Sequence, residues 1–180
     1  MENRLRIALI YGSTREGRFC DTIVDWTAAQ LERLGDCQLD LIDPAAPDAV
    51  NERLERADGF IVVTPEYNHG YPAPLKALID TTGSGWQGKP VGFVSYGGVS
   101  GGSRAVEQLR QVFAEMHSVT LRDSVSFINA WEQFEDGQLR DPARAERSLK
   151  RMFTHLHWWA DALRRARARV PYGEIGEIAA

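Results

Sequence analysis

Cysteine is nearly absent: Cys20 and Cys37 are the only two in 180 residues, too few for a disulfide framework and without Cys-x-x-Cys spacing. No apolar run approaches the roughly 20 residues that cross a bilayer, and the opening MENRLR lacks a signal-peptide pattern. Both absences lead to the expectation of a cytoplasmic protein with no membrane partner. Excess positive charge is missing too, since 21 Lys and Arg against 25 Asp and Glu leave a net charge of −4. Nucleic acid favours basic surfaces, so it is not an expected partner. No Gly-x-Gly-x-x-Gly follows the first apolar run, which argues against a Rossmann dinucleotide site. GSGWQGKP (83–90) comes near a phosphate-binding loop, but Pro90 stands where the magnesium-binding hydroxyl belongs, and the stretch leads into a strand instead of a helix. Repeats and linkers are lacking as well. The chain therefore reads as one domain over residues 1–170 with a tail at 171–180. A 43% hydrophobic content with 26% charged residues suits a globular domain burying about 70% of its unfolded surface.

What is present is alternation. LRIALIYG (5–12), GFIVVTP (59–65) and KPVGFVSYGG (89–98) are near-continuous apolar runs, as in strands buried on both faces. QLDLID (38–43) and SVSFINA (124–130) read as weaker strands. Between them, Ile23, Thr27, Leu31 and Leu34 share one helical side that Gly35 would end. Residues 44–57 hold one short helix, 73–82 another, and Ala105, Leu109, Val112, Phe113 and Met116 mark a third. The last helix opens at Asp141 as N-cap and Pro142 in the first turn, with Leu149, Met152, Phe153, Leu156, Ala160 and Leu163 on its apolar face. Apolar strands alternating with helices predict an α/β, doubly wound, five-stranded parallel sheet with helices on both faces. Right-handed crossovers favour the flavodoxin-like order 2-1-3-4-5.

Ligands of such sheets bind beyond the carboxyl ends of the strands, where the order reverses. The loops that meet there are 12–19, 65–72 and 96–103. GSTREGRF offers free amides, two hydroxyls, Arg15 and Arg18, which suits a phosphate. PEYNHGYPAP combines aromatics, an amide and a carboxylate, and SYGGVSGGS is rich in glycine. Together they suit a phosphate at the first loop and a planar heteroaromatic ring between the other two.

GSTREGR, PEYNHGYPAPLKALID, GKP and SYGGVSGGSRAVEQLR, in this order from about residue 5 to 115, resemble the NAD(P)H-dependent FMN reductase family of flavodoxin-like quinone and azo reductases. The resemblance implies non-covalently bound FMN, NADPH or NADH as co-substrate, and a small-molecule electron acceptor. By position, Ser13, Arg15 and Arg18 with the backbone of Phe19 and Cys20 would hold the phosphate. Pro65, Glu66, Tyr67 and Asn68 would border the ring, and Ser95, Gly97, Gly98 and Ser100 would hold its pyrimidine side. The flavin carries the chemistry, so ping-pong kinetics and no indispensable catalytic side chain are expected. A homodimer or homotetramer is usual in the family. The alternatives are a flavodoxin-type electron carrier, which would usually show a Thr-rich phosphate loop and a more acidic chain, and a flavin-bound regulator of a protein partner.

Other residues are expected to be structural. Cys20 reads as a small buried helix residue, and His69 as a specificity position in the second loop. His155 and His157 lie two apart on a helix and make a poor metal pair, so no metal is expected. Trp158 and Trp159 cannot share one core, and one is expected at a subunit contact. RRARAR (164–169) reads as a solvated basic helix end, and the tail as a flexible or partner-contacting extension.

Overall fold

The computed structural model describes residues 4–175. Strands β1 (Leu5–Tyr11), β2 (Cys37–Ile42), β3 (Gly59–Pro65), β4 (Pro90–Gly97) and β5 (Val119–Ile128) alternate with helices α1 (Cys20–Leu34), α2 (Val50–Arg56), α3 (Ala73–Thr81) and α4 (Ser103–Glu115). The strands pair in parallel in the order β2-β1-β3-β4-β5, the flavodoxin-like order expected from the alternation. A short helix α5 (Ala130–Gln133), a ribbon of β6 (Phe134–Glu135) with β7 (Gln138–Leu139), and the long α6 (Ala143–Arg169) follow.

Side chains of β1 alternate between two cores. Leu5, Ile7 and Leu9 face α1 and α6, where Ile23, Leu31, Met152 and Leu156 are fully buried. Ala8 and Ile10 face α2, α3 and α4, where Trp86 packs on Phe60 and Phe113 at ring separations of 4.6 and 5.3 Å. The Trp86 indole N–H donates to Thr82 Oγ1 at 2.6 Å, so its one polar atom is satisfied in the core. Helix α1 ends as expected, with the Gly35 amide returning to the Leu31 carbonyl at 3.2 Å.

Several local expectations are corrected. The last sheet strand starts at Val119, five residues before the expected Ser124, and ends at Ile128. Its register shifts between Val91 and Phe93, where β4 moves from Thr120 to Ser124 as its partner. As an edge strand β5 is only partly buried, so its apolar pattern is broken in sequence. Asp141 makes no capping hydrogen bond, and α6 begins at Ala143. Its apolar face otherwise buries Leu149, Met152, Phe153, Leu156 and Ala160. Trp158 and Trp159 both face outward, 63% and 36% exposed, stacked edge-on against each other. The basic end of α6 is not simply solvated: Arg167 donates to the Gly88 carbonyl, and Arg164 and Arg167 lie 3.9 and 3.6 Å from Asp58. Of the tail, Tyr172 packs its ring over Gly88 and meets His117 Nδ1 at 3.2 Å. The expectation for 176–180 lies outside the described residues.

Lys89 opens the turn into β4 and is 5% exposed. Its ammonium donates to the Leu54 and Glu55 carbonyls at 2.7 and 2.8 Å, closing the end of α2. Burial, with help from the Arg167 charge, lowers its pKa to about 8. Below that value the native state carries the cost of a buried cation. Between about 8 and the ordinary 10.5 the unfolded chain binds more protons, so this group raises stability as pH rises. Urea unfolding should therefore find the native chain gaining stability relative to Lys89→Met as pH climbs from 8 towards 10. A pH-independent difference would mean that Lys89 titrates normally.

Candidate functional site

The loops 12–19, 65–72 and 96–103 meet at the carboxyl ends of β1, β3 and β4, where the strand order reverses. The first leaves β1 at Gly12, whose amide donates to the Val63 carbonyl at 2.7 Å. A Cβ there would fall 2.5 Å from that oxygen and 2.9 Å from Thr64 Cα, so only glycine lets the loop start this close to β3. Ser13 is 1% exposed, and its hydroxyl meets the Tyr67 hydroxyl at 2.8 Å, tying the first loop to the second. Arg15 is exposed, with its guanidinium 3.5 Å from the centre of the Tyr67 ring and no carboxylate partner among the described residues. The amides of Glu16, Gly17, Arg18, Phe19 and Cys20 find no acceptor among the described residues. Five unpartnered N–H groups beside a free cation fit a phosphate.

Arg18 lies differently from the expectation. Its guanidinium reaches Asp43 Oδ1 at 2.9 Å, Asp21 at 2.7 Å and the Ser13 carbonyl, and it stands 4.7 Å from the Tyr11 ring centre. Those bonds hold the Asp43 carboxyl below its usual range and the guanidinium above its own. Arg18 therefore braces the loop from beneath, whereas Arg15 has no such protein partner among the described residues. Asp43, 25 residues away, is a partner that local sequence could not indicate. Phe19 turns its ring towards Tyr96 and Phe134, at 6.0 and 5.7 Å, so only its backbone faces the loop's concavity. Cys20 is fully buried with its thiol towards the Val63 carbonyl, and burial raises its pKa, which makes it an unreactive core residue.

The second loop folds back on itself. The Tyr67 and Gly70 backbones exchange hydrogen bonds of 2.9 and 3.0 Å around Asn68 (φ 50°) and His69 (φ 71°). Positive φ at both central residues makes this a type I′ turn, and holding His69 there without glycine costs about 1 kcal/mol. The turn is held by Gln108, which donates to the His69 carbonyl at 2.9 Å, and by Arg104, which bonds the imidazole. Asn68 is exposed at its tip, while Pro65 is the buried last residue of β3. Beneath the turn, Ser13, Thr14, Arg15, Tyr67, Tyr71 and Pro72 line a cleft of about 280 Å³.

Glu66 links the second loop to the third. Its side chain is 6% exposed and accepts the Ser100 hydroxyl at 2.8 Å and the Arg104 amide at 3.1 Å. It also pairs with the Arg104 guanidinium at 2.7 Å. A carboxylate from the end of β3 thus caps α4, whose own N-cap, Gly102, has no side chain. Ser95 is likewise structural: its hydroxyl donates to the Gly101 carbonyl at 2.8 Å, as does that of Ser126, so it is turned away from the loop surface. Gly97 is buried under Glu66, whereas Gly98, Val99 and Ser100 form the open rim, and the amides of Val99 and Ser100 have no acceptor among the described residues. Arg104 and Ser126 escaped sequence reasoning, since nothing local marks an arginine in the first turn of a helix as a loop brace or a serine of an edge strand as the partner of a loop carbonyl.

Residues 5–132 match the family model for NADPH-dependent FMN reductase. The chain belongs to this family. An NAD(P)H-dependent FMN reductase of Schizosaccharomyces pombe is 38% identical over 130 residues, covering 59% of this chain and 64% of that protein. A quinone reductase of Escherichia coli is 31% identical over 142 residues, 67% of this chain and 76% of the relative. This FMN reductase family member thus spans less than two thirds of the length of the fission-yeast relative that it matches. Among solved structures, FerB, a flavoenzyme NAD(P)H:(acceptor) oxidoreductase of Paracoccus denitrificans, shares the fold with a TM-score of 0.65 at 21% identity, covering 88% of this chain and 98% of that one. No helix among the described residues is long and apolar enough to cross a membrane.

Proposed function

We propose that the protein is an NAD(P)H-dependent FMN oxidoreductase acting on a small-molecule acceptor. The observation that carries this reading is the row of unpartnered amides at 16–20 beside the unpaired Arg15, at the reversal of the strand order. Those amides, the Ser13 hydroxyl and Arg15 would hold the FMN phosphate. Pro65, Tyr67 and Asn68 on one side, with Gly97, Gly98 and the amides of Val99 and Ser100 on the other, would border the ring. Glu66, Arg18 and Ser95 keep those loops in shape from behind, and no side chain of the site is required as a general base. When bound, FMN supplies the redox chemistry: hydride transfer from NADPH or NADH, then electron delivery to a quinone, azo compound or free flavin, the two substrates taking turns. Pre-formed amides near the ring favour the negative charge of reduction without reorganisation.

Val99, Ile128 and Trp131 are exposed by 82%, 52% and 58%. A Cβ added at Gly101 would meet Ile128 at 3.0 Å and one at Gly98 would meet Trp131 at 3.8 Å, which puts this apolar rim against the third loop. It supports a homodimer or homotetramer that covers the rim.

The test is the absorption spectrum of the FMN-loaded protein before and after anaerobic NADPH, then NADH. A flavin band that bleaches within a turnover time is expected. Uptake of FMN without bleaching by either nucleotide would replace the reductase with a one-electron carrier or a regulator. In the same assay, Arg15→Gln should weaken FMN binding about ten- to a hundredfold, the worth of a charge-assisted hydrogen bond. Unchanged affinity would move the phosphate away from this loop.

A further inference from the structure

On the α2 face of the sheet, beside the edge strand, the fold leaves a second hollow. The small side chain of Ala8 lies on its β1 side, with Gln38 and Asp40 of β2 on another and Arg53 and Arg56 of α2, followed by Ala57, on the third. Arg6 and Leu39 complete the lining of this cleft of about 320 Å³, at the lower end of the range for ligand pockets, about 300–1,000 Å³. Ala8 stands four residues before Gly12 and Arg6 six. At about 3.3 Å per residue the hollow therefore lies some 13–20 Å from the first loop.

Its charge is unbalanced. The lining holds three guanidinium groups and one carboxylate. Asp40 is engaged by Arg53, whose Nε lies 3.1 and 3.2 Å from its two oxygens, while the same guanidinium also bonds the Leu41 carbonyl. That pair is a fixed wall. Asp58, which directly follows Ala57 of the lining, is taken as well: it accepts the Arg6 backbone amide at 2.9 Å and faces Arg164 and Arg167. The side chains of Arg6 and Arg56 consequently have no hydrogen-bond or ion-pair partner among the described residues. A protein of net charge −4 thus keeps a concave surface of formal charge +2, from three arginines less one aspartate.

We propose that this cleft binds a dianionic phosphate, free or as the monoester of a small metabolite. Two open guanidinium forks match the charge and the oxygen geometry of a phosphate, which arginine recognises with paired N–H donors. The Gln38 amide supplies a neutral polar contact, and Ala8, Ala57 and the arginine stems give a short apolar floor for the body of a monoester. A monovalent anion would leave one of the two guanidinium groups uncompensated.

Calorimetric titration of inorganic phosphate and of glucose 6-phosphate, with excess FMN present and constant ionic strength, tests this. Saturable binding with a dissociation constant of about 1 mM or below is expected. Arg6→Gln and Arg56→Gln should each weaken it at least about tenfold. Both side chains are exposed and unpartnered, so thermal unfolding of these variants should match the native chain. Tighter binding of the sugar phosphate identifies a monoester site, and equal binding identifies a phosphate site. No saturation, saturation that survives both substitutions, or saturation that instead disappears in Arg15→Gln would overturn the proposal, the last by assigning the anion to the first loop.

Discussion

Gly12→Ala should lower stability by about 3 kcal/mol and abolish FMN uptake under conditions where the native chain is fully loaded. The added methyl would sit 2.5 Å from the Val63 oxygen and 2.9 Å from Thr64 Cα, both backbone atoms of β3, a strand paired on either side. A side chain could rotate out of the way; a paired strand cannot. Relief comes only by lifting the loop off β3, which breaks the 2.7 Å bond from Gly12 to Val63 and parts Ser13 from Tyr67. Urea unfolding and FMN titration read the two effects separately. A native midpoint with native uptake would mean that the strand ends have room to part.

The second large effect is expected at Glu66. Glu66→Ala removes the acceptor of the Ser100 hydroxyl, of the Arg104 amide and of the Arg104 guanidinium at one stroke. Left beside them is an uncapped helix start and a cation that is 40% exposed, so solvent compensates only part of the loss. About 2–3 kcal/mol of stability should go. FMN affinity should fall with it, because Arg104 also holds the His69 turn. Glu66→Gln retains the oxygen that caps α4 but not the charge, and should recover part of both losses. Equal loss in the two variants would assign the whole effect to the ion pair, and no loss in either would remove Glu66 as the link between the loops.

The sheet could be read from sequence because its three inner strands are apolar on both faces, and such runs survive any uncertainty about helix ends. The margins were harder. The β5 edge strand is half-buried, so Thr120, Arg122 and Ser124 interrupt its pattern, and its true start at Val119 is hidden. The β6–β7 ribbon turns on Asp136 and Gly137, with φ of 47° and 76°, an Asp-Gly hairpin signal that its very short strands made easy to pass over. The three loops were located from their composition, but the direction of a side chain within them was not legible. Ser95 and Ser13 look alike in sequence, yet Ser95 donates back to Gly101 while Ser13 faces Tyr67. Arg15 and Arg18 look equivalent until Asp43 arrives from the end of another strand. Long-range partners decide which polar group is left over for a ligand, and no local pattern encodes them.

The lock between Arg18 and Asp43 reaches beyond the loop that it shapes. Asp43 directly follows β2, an edge strand held by β1 alone. Margins of a sheet open more readily than its centre. When β2 breathes, Asp43 withdraws and the first loop loses its brace, although the loop itself springs from a strand paired on both sides. The first loop therefore shares the protection of the sheet's margin and not that of its middle. The same coupling runs in reverse, since any ligand that holds the loop closed also quiets a strand it never touches.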